Sequence, residues 1–288
     1  MILVTGGRGF IGTHTTRALR GLGEDCLPIG RGDADCTDLD ALRALGAKYS
    51  MTGIVHLAAI HLGGAPAAEE LRANLTATLN IATVAAEWGV GRVVSASTIG
   101  VYGGVPGPVW REDAPLPPRA AFAIPASKKA SEIVVPLAAG DAVEVVHARI
   151  GSIWGPLGRP SSPFMAVPAL VHAAVRGTEP PDAYAEDAID IGYVRDCGRA
   201  LALLATAPRL RHAVYNVSGG AAVSNARFVD ALRNAVPDAV LPLHPGPRPA
   251  AARLDLTRLT DDTGYRPAFD LDAAVADYVG WLRAGNTR

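Results

Sequence analysis

Long apolar runs are missing from this chain, and so is any excess of charge. No stretch approaches the roughly 20 apolar residues that a helix needs to cross a bilayer, so no membrane span is expected, although 49% of the 288 residues are hydrophobic. Lys plus Arg number 27 against 28 Asp plus Glu. Without a basic run there is no electrostatic reason to expect nucleic acid or an anionic membrane surface as a partner. Only three cysteines occur, Cys26, Cys36 and Cys197. Their odd number and scattered positions exclude a disulfide framework and a cysteine-based metal centre, so no metal is expected. Lysine is nearly absent: Lys48, Lys128 and Lys129 stand alone among arginines. No internal repeat is present, and a first strand starting at Met1 leaves no room for a signal peptide. A reducing cytoplasm is the expected location.

What is present is a glycine pattern in a particular setting. Met1-Ile2-Leu3-Val4 reads as a strand, followed by Thr5-Gly6-Gly7-Arg8-Gly9-Phe10-Ile11-Gly12 and a helical pattern. Gly6 suits a tight turn, Gly9 lets backbone approach a pyrophosphate, and Gly12 lets the helix pack closely on the strand. The helix N-terminus then attracts the anion. Strand and helix signals go on alternating, with strands at Cys26–Ile29, Gly53–Ala58, Arg92–Ala96 and Ala142–Ile150 and helices at Leu39–Leu45 and Leu71–Trp88. This alternation predicts an α/β fold, a doubly wound parallel sheet of Rossmann type. A proline-rich stretch, Pro156 to Asp187, carries a helical pattern over Phe164–Val175 and reads as an insertion over the sheet edge. A strand at Ala213–Val217 and helices at Ala226–Val236 and Leu271–Arg283 complete the chain. The expected division is a dinucleotide-binding domain, 1–156 with 188–217, and a smaller substrate lobe, 157–187 with 218–288.

Several further segments resemble the extended short-chain dehydrogenase/reductases, the epimerase and dehydratase group. Val55-His56-Leu57-Ala58-Ala59 is similar to that family's fourth-strand motif, and Asn74 falls in the helix where the family has an asparagine. Arg149 to Pro156 resembles its aromatic-Gly-Pro segment. Tyr193-Val194-Arg195-Asp196, Tyr215-Asn216-Val217 and Gly264-Tyr265-Arg266-Pro267 match later landmarks. The resemblance implies cofactor contacts from Gly6, Arg8, Gly9, Phe10, Ile11 and Gly12, from Leu57, Ala58 and Ala59, and from Asp35 and Cys36 at the adenine edge. Gly30-Arg31 stands where an acid would hold an adenosine 2′-hydroxyl, and an arginine there accommodates a 2′-phosphate. With Arg8 in the glycine loop, two guanidinium groups point to NADP(H) rather than NAD; the alternative is that both are solvated surface arginines.

Four residues before the Tyr of Val101-Tyr102-Gly103 lies Thr98, the family's catalytic serine or threonine position, with Ser97 beside it. The Tyr-x-x-x-Lys pair that should follow on one helix face is Ile124 and Lys128, and no tyrosine occurs between Tyr102 and Tyr184. The family's proton donor is therefore missing. Lys128 is expected to hold the cofactor ribose, the alternative being an ion pair with Glu132. A lost general acid slows a reaction by roughly 10²–10⁴-fold without abolishing it. The proton must then come from Thr98, Ser97, His61, water or the substrate, whereas Tyr102 reads as packing. Ile189 before Asp190, and Pro-Gly-Pro-Arg-Pro near 247, leave the family's diphosphate grip dismantled. Trp154, Phe164, Met165, Val167 and Leu170 would form an apolar lid. These departures together resemble atypical extended reductases of aromatic polyketide pathways. They imply an NADPH-dependent ketoreductase for a polycyclic, angucyclinone-like aromatic ketone that brings its own proton. The rival expectations are a nucleotide-sugar epimerase or dehydratase with a displaced acid, and a non-enzymatic NADP-binding regulator.

Overall fold

The structure, a computed structural model, describes residues 1–59, 66–246 and 252–288. In chain order its elements are β1 (Ile2–Thr5), α1 (Phe10–Gly21), β2 (Cys26–Ile29), α2 (Leu39–Gly46), β3 (Gly53–His56), α3 (Ala67–Trp88) and β4 (Arg92–Thr98). A single 3₁₀ turn, Ile99–Tyr102, precedes β5 (Val109–Trp110), α4 (Ala123–Ala139), β6 (Glu144–Ile150), β7 (Ser152–Trp154), α5 (Val167–Arg176), β8 (Ala188–Tyr193) and α6 (Val194–Thr206). The chain closes with β9 (Val214–Val217), β10 (Ala222–Ser224), α7 (Asn225–Ala235), β11 (Arg253–Leu254), α8 (Thr257–Thr263) and α9 (Leu271–Arg283).

Six strands form a parallel sheet in the order β2-β1-β3-β4-β6-β9. Strand residues alternate between faces, and here both faces are apolar. Ile2, Val4, Val55, Val94, Val146 and Ala148 pack with Leu19 of α1 and Leu201 of α6. Leu3, Ile54, Val93 and Val145 face the other way, onto Leu42 of α2, Ile81 of α3 and Val135 of α4. A sheet covered on both faces is the doubly wound Rossmann-type arrangement. Since β2 lies on one side of β1 and β3 on the other, the connections leaving β1 and β3 diverge and open a crevice at their C-terminal ends.

Three differences from expectation have local causes. The strand begun at Gly53 stops at His56, because Leu57 and Ala58 leave the sheet to cross Gly6: a Cβ on Gly6 would lie 3.0 Å from the Leu57–Ala58 peptide. The motif expected on a fourth strand consequently runs off the third. The helix expected from Phe164 starts at Val167, with proline in its first turn, where the missing N–H costs no hydrogen bond. A small sheet, β10-β8-β7, was not expected: β7 and β10 have three residues each, too few to show periodicity, and β8 lies between them.

A further apolar core joins Phe228 and Tyr278, from the stretches expected to form the substrate lobe, with Trp154 and Tyr193, from stretches expected in the dinucleotide-binding domain. Trp154, Val167 and Leu170 are thus interior residues of this core rather than parts of a lid; only Phe164 and Met165 of that set reach the cleft described below. The buried carboxylate of Asp190 ties the lobe to the sheet. It accepts from Ser218 Oγ at 2.8 Å and from the backbone N–H groups of Gly219, Gly220 and Leu254 at 3.1, 3.0 and 2.7 Å. Among the described residues no helix is long and apolar enough to cross a membrane.

Candidate functional site

The glycine turn is built so tightly that side chains are excluded. Gly6 has φ +64°, a left-handed conformation that L side chains rarely adopt. A Cβ on Gly12 would lie 2.1 Å from the Gly6 carbonyl oxygen, and one on Gly7 2.6 Å from Pro28 Cβ. Gly9 caps α1 with no side-chain hydrogen bond, and the first turn, which includes Phe10 and Ile11, carries no acidic residue. Free N–H groups, the positive end of a helix dipole and backbone that can be approached closely are the ingredients of a pyrophosphate cradle. Ala58 is held beside it, its N–H donating to Thr5 Oγ1 at 3.3 Å; Leu57 and Ala58 are half-buried and Ala59 is exposed.

At the end of β2 the two arginines are not free. Arg8 Nη2 meets Asp33 Oδ1 at 2.7 Å, and the other Asp33 oxygen accepts from Gly30 N–H at 2.8 Å. Arg31 lies 3.9 Å from Asp35. Asp35 also accepts from the N–H and hydroxyl of Thr37, and these bonds lower its carboxyl below the usual range. Cys36 is buried, its carbonyl accepting from Asn80 at 3.0 Å and its thiol pushed up to about 11 by burial. Asp33, not singled out from the sequence, thus puts an acid at the position where the sequence shows only Arg31.

The reacting end lies past β4. Thr98 Oγ1 accepts from Gly100 N–H at 3.2 Å, which leaves its own hydrogen available. Ser97, one residue earlier, necessarily points to the other face of the strand. There it donates to Glu132 Oε1 at 2.6 Å. Glu132 also forms a buried ion pair with Arg149 at 2.7 Å. Burial would raise the Glu132 carboxyl, but the Arg149 bonds and charge outweigh it and hold it below the usual range. Arg149 donates to Tyr102 Oη at 2.9 Å, and Tyr102 donates to Asn216 at 2.8 Å. Tyr102, four residues after Thr98, is fully buried and its hydroxyl is engaged in this network. Lys128 is also buried, which lowers its ammonium to about 8. The carboxylate of Glu132 is directed at Arg149 and not at Lys128, so the expected alternative of a Lys128–Glu132 ion pair is not realised. His61 falls in 60–65 and Arg248 in 247–251, outside the described residues.

Thr98 and Ile124 open onto one cleft of about 1200 Å³, lined further by Phe122, Phe164, Met165 and Ile189. That exceeds the roughly 300–1,000 Å³ typical of small-ligand sites, so an extended ligand fits. Phe122 and Phe164 stack at 6.0 Å across it. Among the described residues its charged lining is Arg119, Asp182 and Asp187, and no cluster of His, Cys, Asp and Glu is placed to hold a metal ion.

The model of the "NAD dependent epimerase/dehydratase family" matches residues 2–218. A dTDP-glucose 4,6-dehydratase of Streptomyces griseus is 28% identical over 97% of this chain and 93% of its own. Among solved structures, MoeE5 in complex with UDP-glucuronic acid and NAD is 28% identical with a TM-score of 0.81 over 99% of both chains. The UDP-glucose 4-epimerase of Thermus thermophilus, in complex with NAD, is 25% identical with a TM-score of 0.82 over 99% of both. These findings correct two expectations. The relatives named here are nucleotide-sugar enzymes by their descriptions, which overturns the expected ketoreductase of a polyketide pathway and the aromatic ketone as small-molecule partner. An apolar cleft wall and a missing tyrosine do not by themselves identify a substrate: both are compatible with a sugar ring, whose carbon face is apolar.

Proposed function

Since this chain belongs to the NAD dependent epimerase/dehydratase family, we propose that it oxidises and reduces a sugar ring carried on a nucleoside diphosphate, as an epimerase or dehydratase with a displaced acid. The observation that carries this reading is the junction of two sites: Thr98 ends β4 at the same C-terminal edge of the parallel sheet at which the glycine cradle leaves β1, and it also lines the cleft. The cradle of Gly6, Gly9 and Gly12 fits the pyrophosphate of a nicotinamide dinucleotide, because a Cβ at any of the three would meet backbone at 3.1 Å or closer, leaving bare backbone that a phosphate can approach. Bound there, the nicotinamide would accept and return a hydride. Lys128 would hold its ribose, and Thr98 would donate to the sugar oxygen that reacts. Arg119, the one cation of the described lining, would meet the diphosphate. The stacked Phe122 and Phe164 would cover the sugar's apolar face and exclude water. Ile124 offers neither a proton nor a hydrogen bond. Calorimetry with UDP-glucose and dTDP-glucose in the presence of NAD⁺ tests the reading, with nicotinamide absorbance reporting hydride transfer. Binding of at least one sugar nucleotide is expected, and a protein that binds NAD⁺ but neither of them would not have this function.

For the dinucleotide itself we propose NAD(H) over the NADP(H) expected from Arg8 and Arg31. A 2′-phosphate beside Asp33 would meet its carboxylate and compete with it for Arg8, whereas a 2′-hydroxyl can donate to that oxygen. Asp33→Asn should remove the repulsion, free Arg8 and narrow the NAD⁺-to-NADP⁺ affinity ratio by about tenfold, roughly 1.4 kcal/mol. Titration of intrinsic fluorescence with both nucleotides measures it, and an unchanged ratio would remove Asp33 from the account.

A further inference from the structure

The sheet face under α3 and α4 carries a lateral row of polar residues that the proposed reaction does not use. Thr5 of β1, His56 of β3, Ser95 of β4 and His147 of β6 are successive register neighbours, and none is more than 2% exposed. The row before it on the same face, Leu3, Ile54, Val93 and Val145, is wholly apolar. Polarity on this face thus begins at this level and continues in the next, where Ser97 pairs with Arg149. Thr5 Oγ1 satisfies His56 Nδ1 at 2.7 Å, but His56 Nε2, Ser95 Oγ and His147 Nε2 have no partner among the described residues.

A buried polar atom left unpaired costs roughly 1–3 kcal/mol, and three on adjacent strands form a site polar enough to hold ordered water. Lys128 is carried by α4, which packs on β4 and β6, and its charge disfavours protonation of both rings. Burial first, and then that charge, pushes His56 down to about 3. Burial takes His147 to about 4, with Glu132 raising it and Lys128 and Arg149 lowering it. Both rings are therefore neutral at pH 7 and able to exchange hydrogen bonds. Of the other groups facing this layer, Glu132 is taken by Arg149 and Ser97, and α3 contributes buried Glu70 and Asn74. Lys128 itself sits one helical turn from Ile124, on the same face of α4, and Ile124 lines the cleft.

We infer that ordered water joins His56 Nε2, Ser95 Oγ and His147 Nε2 to Lys128 Nζ, and that this hydrated row makes Lys128 the proton-exchanging group in place of the hydroxyl that Ile124 lacks. The chemistry rests on the redox reading of the cleft, whereas the hydrated row rests on the orphan atoms alone. When a sugar carbinol is oxidised, its C–H bond breaks and the hydride, with both electrons, goes to the oxidised nicotinamide. The O–H bond also breaks, a C=O bond forms, and the released proton ends on the neutral amine of Lys128. Reduction of the ketone returns both. His56, Ser95 and His147 act as positioning residues, exchanging hydrogen bonds with the water behind the amine.

Nuclear magnetic resonance on the NAD⁺-bound protein with ¹⁵N-labelled histidine tests the row directly. Exchange between water and the Nε2 positions of His56 and His147 is expected, with both signals perturbed in Ser95→Ala. Rings shielded from water, or signals indifferent to Ser95→Ala, would overturn the inference. Single-turnover hydride transfer from UDP-glucose or dTDP-glucose tests the proton role. Ser95→Ala and His147→Leu should slow it about tenfold and shift its pH profile while leaving NAD⁺ affinity and sugar KM in place, and His147→Gln should recover part of the rate. An unchanged pH profile in both variants would overturn that role. If neither sugar nucleotide reduces bound NAD⁺ in the unsubstituted protein, the redox reading fails and the proton role with it, while the resonance measurement still decides the row.

Discussion

Gly12→Val should weaken NAD⁺ binding at least 100-fold, about 2.7 kcal/mol or more. A Cβ at this position would overlap the carbonyl oxygen of Gly6 at 2.1 Å and press on Gly7 Cα at 2.7 Å. The neighbours are backbone, so no flexible side chain can yield. The turn would have to open, and opening it misdirects the N–H groups at the start of α1. Calorimetry with NAD⁺ measures the loss, and a thermal melt shows whether the protein still folds. A folded Gly12→Val variant that binds NAD⁺ normally would mean that the dinucleotide lies elsewhere.

Arg149→Leu should be the most destabilising single change near the site. Glu132 and Arg149 have side chains 9% and 5% exposed, and removing one member of a buried pair leaves the other charge without compensation, at a cost of roughly 3–5 kcal/mol. For a chain of this size that lowers Tm by on the order of 10 °C. Tyr102 Oη and the Glu112 carbonyl lose a donor as well. The pH dependence has a definite sign. Because Arg149 and Ser97 hold the folded-state Glu132 carboxyl below its usual range, the contribution of the pair is present above the unfolded value of roughly 4.3 and is lost as the pH falls through the folded one. The variant should lack that part of the acid destabilisation. Denaturant titrations at neutral and acidic pH would read both effects, and a Tm within a degree or two of the parent would contradict them.

The parallel sheet and its cradle were legible in the sequence because each depends on local geometry. Gly6, Gly9 and Gly12 sit at spacings that a single strand-turn-helix fixes, and the four-residue step from Ile124 to Lys128 fixes a shared helix face. What was not legible depends on partners far along the chain. Ser97 and Thr98 are equivalent as neighbouring hydroxyls until strand parity sends one to Glu132 and the other to the cleft. Asp33 was hidden because it stands beyond the end of β2, past Arg31, and only the Gly30–Asp33 hydrogen bond brings its carboxylate back to Arg8. Trp154 and Phe164 look alike as apolar residues near the insertion, but one packs within the lobe and the other faces the cleft. Substrate class was the least legible property, since apolar lining carries no chemical label.

The tie at Asp190 has a mechanical consequence. One anion holds donors from the β9–β10 turn and from β11 while its own strand belongs to the small sheet. Sliding the lobe past the sheet would break several charge-assisted bonds together, all of them wholly or partly withdrawn from water, so shear along that seam is strongly opposed. Accommodation of ligands of different length is left to rotamers at the rim, Phe122 and Phe164 foremost. The molecule is a vice with one fixed jaw and an adjustable edge.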